Sequence, residues 1–225
     1  MNSLNAKAIG GLVITLLVMA GLVFVSAGTV DYWEAWVFLG VFGVSGLAIT
    51  LYLMKKDPKP LARRVSGGPT AEKEPTQKII QTFTALGFIG MLVVPGLDHR
   101  WHWSVVSLDV VVTADILVVV GFVFVFLVYK ENSFASATIE LAPEHKVIST
   151  GPYALVRHPM YFGGLLMFLG MPVALGSWYG LLALVVMMPA LLWRLLDEEK
   201  FLVKGLQGYS EYRDRVRYRL VPFVW

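Results

Sequence analysis

Repeated apolar runs constrain this chain more than any other feature. Ala8 to Val30, Ala35 to Met54, Ile79 to Leu97 and Val105 to Tyr129 are each nearly free of charge. A bilayer core asks for about 20 apolar residues per helix, because backbone N–H and C=O groups must be satisfied within the segment. Only 16% of the 225 residues are charged, against about 25% in soluble domains. A cleavable leader is the competing reading of the first run, with Val25-Ser26-Ala27 as a cleavage site. The run is longer than a signal core of about 7–15 residues, so a retained membrane helix is expected.

Two further apolar stretches, Pro159 to Gly176 and Trp178 to Trp193, meet at Gly176-Ser177. Each sits at the short end for a span, and both are interrupted by Gly or Pro, which predicts a tightly packed helical hairpin. The fold class expected is therefore all-α: a polytopic integral membrane protein with four transmembrane helices, a C-terminal helical hairpin and a cytoplasmic tail. It divides into residues 1–129, the N-terminal helices with a polar loop at 55–78, and residues 130–225. Basic residues concentrate in the 55–78 loop and in the tail after Leu195, so the positive-inside rule places these, the 130–158 segment and both termini in the cytoplasm. The plainest reading of the 55–78 loop is a solvated connection. The short turns near 31–34, 98–104 and 176–178 then face the other side, with Tyr32, Trp33 and Trp36 as interfacial anchors.

Several function classes fall away. Basic residues flank apolar segments and do not line one face, so nucleic acid is not an expected partner. There is no cysteine, which excludes disulfides, thiolate metal sites and a Cys nucleophile. His99 and His102 read as interfacial side chains, and no metal site is expected. Asp109 and Asp115 lie in or beside an apolar run, where a carboxylate is costly. Either an interfacial position or pairing with a neighbouring helix accounts for them, and neither is assigned to a site.

Chemistry-bearing residues gather where polar chain re-enters the membrane. Gly151-Pro152 signals a turn, and His158-Pro159 signals a helix starting at Pro159. Arg157 and His158 then stand at a helix mouth whose N–H groups and dipole favour an anion. An interfacial Arg and His at headgroup level is an equal reading. At the end of the last apolar stretch, Arg194 and Glu198 share one helix face. Asp197, Glu198 and Glu199 read on their own as a solvated acidic cluster, on a helix that Phe201, Leu202 and Leu206 carry further.

The ordered set His145-Lys146-Val147-Ile148-Ser149-Thr150-Gly151-Pro152-Tyr153, then Arg157-His158-Pro159-Met160-Tyr161, then Arg194 with Glu198-Glu199, resembles the isoprenylcysteine carboxyl methyltransferase family, which is related to the phospholipid N-methyltransferases. The ending Tyr209-Ser210-Glu211-Tyr212-Arg213-Asp214-Arg215-Val216 with Pro222 is similar to that group as well, and the likeness spans residues 138–225. The resemblance implies S-adenosyl-L-methionine as cofactor, entering from the cytosol between the loop and the tail. It implies that His145, Lys146, Val147 and Ile148 line the adenosine part. Tyr153, His158, Pro159, Met160 and Tyr161 would wrap the ribose and methionine parts. Glu198 would take a polar group of the cofactor, and Arg194 would face the substrate as the catalytic residue. The nucleotide loop Gly-x-Gly-x-x-Gly of soluble dinucleotide enzymes is missing. The expected acceptor is lipophilic, a carboxylate of the isoprenylcysteine type. A phospholipid amine or a thiol, a sterol-reductase-like enzyme using NADPH, and a non-catalytic membrane scaffold are the alternatives.

Overall fold

The computed structural model describes residues 3–65, 74–134 and 146–225, and these residues are helical without a strand. The helices are α1 (Ser3–Ala27), α2 (Trp33–Lys56), α3 (Pro58–Val65), α4 (Pro75–Trp101), α5 (Leu108–Glu131), α6 (Pro159–Ala174), α7 (Gly180–Gly205) and α8 (Tyr209–Arg215), with a 3-10 turn at Gly151–Ala154. Five of them, α1, α2, α4, α5 and α7, are long and apolar enough to cross a membrane. Helix α6 has 16 residues, so at 1.5 Å per residue it reaches about 24 Å, short of the roughly 30 Å hydrocarbon core.

Two boundaries and one side chain differ from the sequence expectation. The 55–78 segment holds helix α3 and the first turn of α4. Pro58 suits the first helical position, and the Asp57 carboxylate caps it by accepting from Lys59 N–H at 3.2 Å. Helix α4 runs on through Asp98 to Trp101, where a turn was expected. Asp98 is buried there and accepts from the Ser104 N–H at 2.7 Å, the Ser104 hydroxyl at 2.6 Å and the Ser177 hydroxyl. It thus ties the end of α4 to the turn between α6 and α7. Tyr32, expected at the interface, is buried, donating to the Leu175 carbonyl and stacking on His99 at 3.8 Å. Trp33 and Trp36 remain exposed.

The α6–α7 turn is a Schellman closure. Ser177 N–H reaches Pro172 O at 3.0 Å, Gly176 N–H reaches Val173 O at 2.9 Å, and Gly176 takes φ +72. Away from this turn the two arms part, and they do not form the tight pair expected. Helix α6 lies along α5 and α7 along α4. The α5–α6 approach is backbone to backbone: a Cβ on Gly121 would sit 2.7 Å from Gly163 O, and one on Gly170 would sit 2.7 Å from Ala114 O. Small residues thus pull α6 toward α5 and leave space between the arms. The core holds one end of the bundle together through Phe38, Met91, Leu92, Val118, Met171 and Leu175. The gap opens toward the other end.

Candidate active site

The gap is a cavity of about 790 Å³. Its upper wall is built by the chain from Lys146 onward. Lys146, Val147 and Ile148 run without regular structure along the rim and line it. Gly151, at φ +57, starts the 3-10 turn that delivers Tyr153. The Tyr153 hydroxyl accepts from Asn132 Nδ2 at 2.7 Å, and its carbonyl accepts from the Tyr212 hydroxyl at 2.8 Å. Burial pushes the Tyr153 hydroxyl up to about 12, so it stays neutral.

His158 caps α6 and Pro159 is the first helical residue, as the sequence predicts. The backbone just before this helix is already engaged. The Arg157 and His158 N–H groups donate to Tyr218 O and Arg219 O, each at 2.9 Å, which ties the corner to the C-terminal tail. The Arg157 guanidinium lies 2.7 Å from Glu199 Oε1, and Glu199 Oε2 accepts from Arg219 Nε at 2.8 Å. Arg219 in turn covers the Trp225 ring at 5.2 Å. His158 is buried, its ring edge-on to Tyr161 at 5.7 Å, with Nε2 lacking any partner among the described residues. Burial, with the charges of Arg157 and Arg219, lowers its pKa to about 3, so the ring is neutral.

The acids on α7 do not form a solvated cluster. Successive residues point about 100° apart on a helix, and each of the three finds its own partner. Asp197 accepts from Gln77 Nε2, Glu198 accepts from the Tyr161 hydroxyl at 2.6 Å, and Glu199 holds the two arginines. Arg194, one turn deeper than Glu198 and buried, donates from Nη1 to Gln77 Oε1 at 2.9 Å. With its carboxamide oxygen facing the guanidinium, Gln81 accepts from Nη1 and Nη2 at 3.2 and 3.1 Å.

The cavity therefore brings together Lys146, Val147, Ile148, Tyr153, His158, Pro159, Met160, Tyr161, Arg194 and Glu198. His145, the remaining sequence candidate, lies outside the described residues. Sequence reading missed Gln77 and Gln81, because Gln77 fell in what read as a loop. A Gln-x-x-x-Gln pair entering an apolar run puts two amides on one helix face, and that was the available signal. Asn132, Tyr209 and Tyr212 also line the cavity. Among the described residues no group of His, Cys, Asp and Glu could hold a metal ion.

Three orphaned polar atoms belong to residues of this wall, Arg157 Nε, His158 Nε2 and the Tyr209 hydroxyl, and call for partners that can hydrogen-bond. Apolar Val147, Ile148 and Met160 suit a flat ring, and the Glu198 carboxylate suits a cation. This donor set fits a cationic nucleoside carrying an amino-acid chain.

Comparison with known proteins bears on the same region. Residues 110–207 match the family model described as Phospholipid methyltransferase. The "Probable protein-S-isoprenylcysteine O-methyltransferase" of Oryza sativa subsp. indica is 29% identical over 140 residues, covering 59% of this chain and 68% of that protein. The "Protein-S-isoprenylcysteine O-methyltransferase B" of Arabidopsis thaliana is 30% identical over 137 residues, covering 58% of this chain and 64% of that protein.

Proposed function

We propose that the chain is a methyltransferase of the isoprenylcysteine carboxyl type, a reading supported by the phospholipid methyltransferase match over residues 110–207 and by relatives 29–30% identical. It is a membrane methyltransferase. The donor proposed is S-adenosylmethionine, and the acceptor a lipophilic carboxylate of the isoprenylcysteine type. The observation that carries this reading is the single cavity running from the polar corner at His158, Tyr161 and Glu198 into the apolar space between α6 and α7, with Arg194 at the junction.

When bound, the cofactor supplies a sulfonium methyl whose departure leaves a neutral thioether. Residues 146–148 line the adenosine end, while Tyr153, His158, Pro159, Met160 and Tyr161 enclose the ribose and methionine parts. Glu198, held by the Tyr161 hydroxyl, carries negative charge toward the cationic part of the ligand. Arg194 grips the acceptor carboxylate through paired N–H groups and fixes its line of attack. A carboxylate is already ionised at neutral pH, so alignment in a dry site does most of what the residues must do. An amine acceptor would need a base, for which Glu198, Glu199 and His158 are the candidates; Glu199 is held by two arginines and burial makes His158 a weak base, which leaves Glu198. Residues 130–225 supply this machinery, helped by Gln77 and Gln81 of α4. The cavity mouth and both termini face the cytoplasm in this reading.

Calorimetry in detergent tests the site. S-adenosylhomocysteine should bind and NADPH should not. Glu198→Ala and Tyr161→Ala should each abolish binding, and intact binding in both variants overturns the assignment. Arg194→Ala should keep binding and lose turnover.

A further inference from the structure

The apolar arm of the cavity has a floor. Phe42 of α2, Phe88 of α4, Phe122 of α5 and Phe168 of α6 line its deep end. Phe42 meets Phe122 edge-on at 5.0 Å, and Phe88 meets Phe168 in the same manner at 6.3 Å. One turn below stand Phe38, Met91, Leu92, Val118 and Met171, each at most 1% exposed, and none of them lines the cavity. The flanking helices close in the same layer: Thr15 of α1 is followed by buried Met19, and Met188 of α7 stands one turn above buried Leu184. Among the described residues, the polar side chains that line the arm are threonines bonded within their own helices. The hydroxyls of Thr15, Thr50 and Thr84 donate to the carbonyls of Gly11, Gly46 and Ile80 in their own helices, at 2.8, 2.8 and 3.0 Å.

The depth follows from helix geometry. Tyr161 to Phe168 on α6 and Gln81 to Phe88 on α4 are both seven-residue steps, or about 10 Å along each axis. A staggered carbon chain advances about 1.3 Å per atom, so about eight chain atoms fill the arm from the polar ring to the floor. We propose that Phe42, Phe88, Phe122 and Phe168 form a stop that sets the length of the acceptor's apolar chain, admitting a short single chain and rejecting longer ones. This rests on the reading that Arg194 holds the reacting carboxylate at the arm's mouth. Gly164 belongs to the same device: it lines the arm one turn above Phe168, and a Cβ there would meet only Phe168, at 4.0 Å. A larger side chain at 164 would occupy space that the acceptor now uses.

The test uses the full chain in lipid nanodiscs, with two readouts. In the first, kcat/KM is measured for N-acetyl-cysteines bearing S-propyl, S-dimethylallyl, S-geranyl and S-geranylgeranyl chains. The carboxyl carbon, two cysteine carbons, the sulfur and the four-carbon run of a dimethylallyl group take up about eight positions. The wild type should therefore favour dimethylallyl, with at least a tenfold fall to geranylgeranyl, since each mismatched methylene is worth about tenfold or more in a hydrophobic pocket. Phe88→Leu and Phe168→Ala should move the optimum to longer chains, and Gly164→Leu to shorter ones. The second readout needs no turnover. The rise in melting temperature given by straight-chain carboxylates should level off near eight to ten carbons in the wild type. That break should come later in Phe88→Leu and earlier in Gly164→Leu. If length dependence appears in melting but no prenylcysteine is methylated, the stop stands and the acceptor assignment falls. A flat profile to the longest chain, an unmoved break in Phe88→Leu and Gly164→Leu, or no carboxylate raising the melting temperature overturns the stop.

Discussion

Glu199→Ala should release the corner on which the cofactor wall depends. In the wild type this carboxylate holds Arg157 at 2.7 Å and Arg219 at 2.8 Å, with the Arg157 and Glu199 side chains each 7% exposed. Burial already lowers the Arg157 pKa, and the Glu199 charge is the main influence opposing that shift. Removing the carboxylate leaves a buried guanidinium beside a second cation. Breaking a buried pair from one side costs about 3–5 kcal/mol. For a chain of this size that is a fall of about 10 °C in melting temperature. Glu199→Gln keeps an acceptor and should lose less. Arg157→Met combined with Glu199→Leu should recover most of the loss, because packed apolar residues replace a buried pair at little cost. Thermal unfolding in detergent gives the stability, and calorimetry with S-adenosylhomocysteine gives the state of the wall. A Glu199→Ala protein melting within about 2 °C of wild type and binding normally would refute the reasoning.

Gln77→Ala should leave S-adenosylhomocysteine affinity within about twofold while lowering kcat/KM for the acceptor by about ten- to a hundredfold, the usual consequence of a misplaced positioning group. Asp197→Asn should give a weaker form of the same defect, since Asp197 accepts from the Gln77 amide nitrogen and so turns its oxygen toward Arg194; an unchanged kcat/KM in both contradicts this. The His158 pKa is lowered to about 3 in the folded chain, against about 6.5 when unfolded. As pH falls below about 6.5 the unfolded state takes up the proton first, so stability should decline toward pH 3, by up to about tenfold in the folding constant per pH unit. Unfolding midpoints measured from pH 7.5 to 4.5 should show that slope, reduced in His158→Asn, and the same slope in both proteins would count against a buried neutral ring.

The apolar helices and the Pro159 start were legible because both rest on local rules, apolar length and the backbone demands of proline. The count was not: four spans plus a hairpin were expected, and five of the described helices are long enough to cross. Nor was the direction of the hairpin arms. Gly163 and Gly170 advertise a close approach, but nothing local says that the partner is α5 and not α7, and that choice opens the cavity. The three acids at 197–199 read as a solvated cluster because their partners, Gln77, Tyr161 and the two arginines, lie 20 to 120 positions away. Tyr32 looked interfacial because a Tyr-Trp pair at a span end usually is, and its burial depends on the Leu175 carbonyl and His99 reaching it from other elements. Arg157 and His158 were correctly placed at a helix mouth. The tail carbonyls that occupy their N–H groups come from some sixty residues further on, beyond what a turn signal encodes.

The most direct measurement is transfer of labelled methyl from S-adenosylmethionine to N-acetyl-S-dimethylallyl-cysteine by the chain in nanodiscs. The label should appear as a base-labile methyl ester, vanish in Arg194→Ala, and leave S-adenosylhomocysteine binding intact in that variant. Label in phospholipid amine and not in ester, or Arg194→Ala turning over as wild type does, would contradict the account.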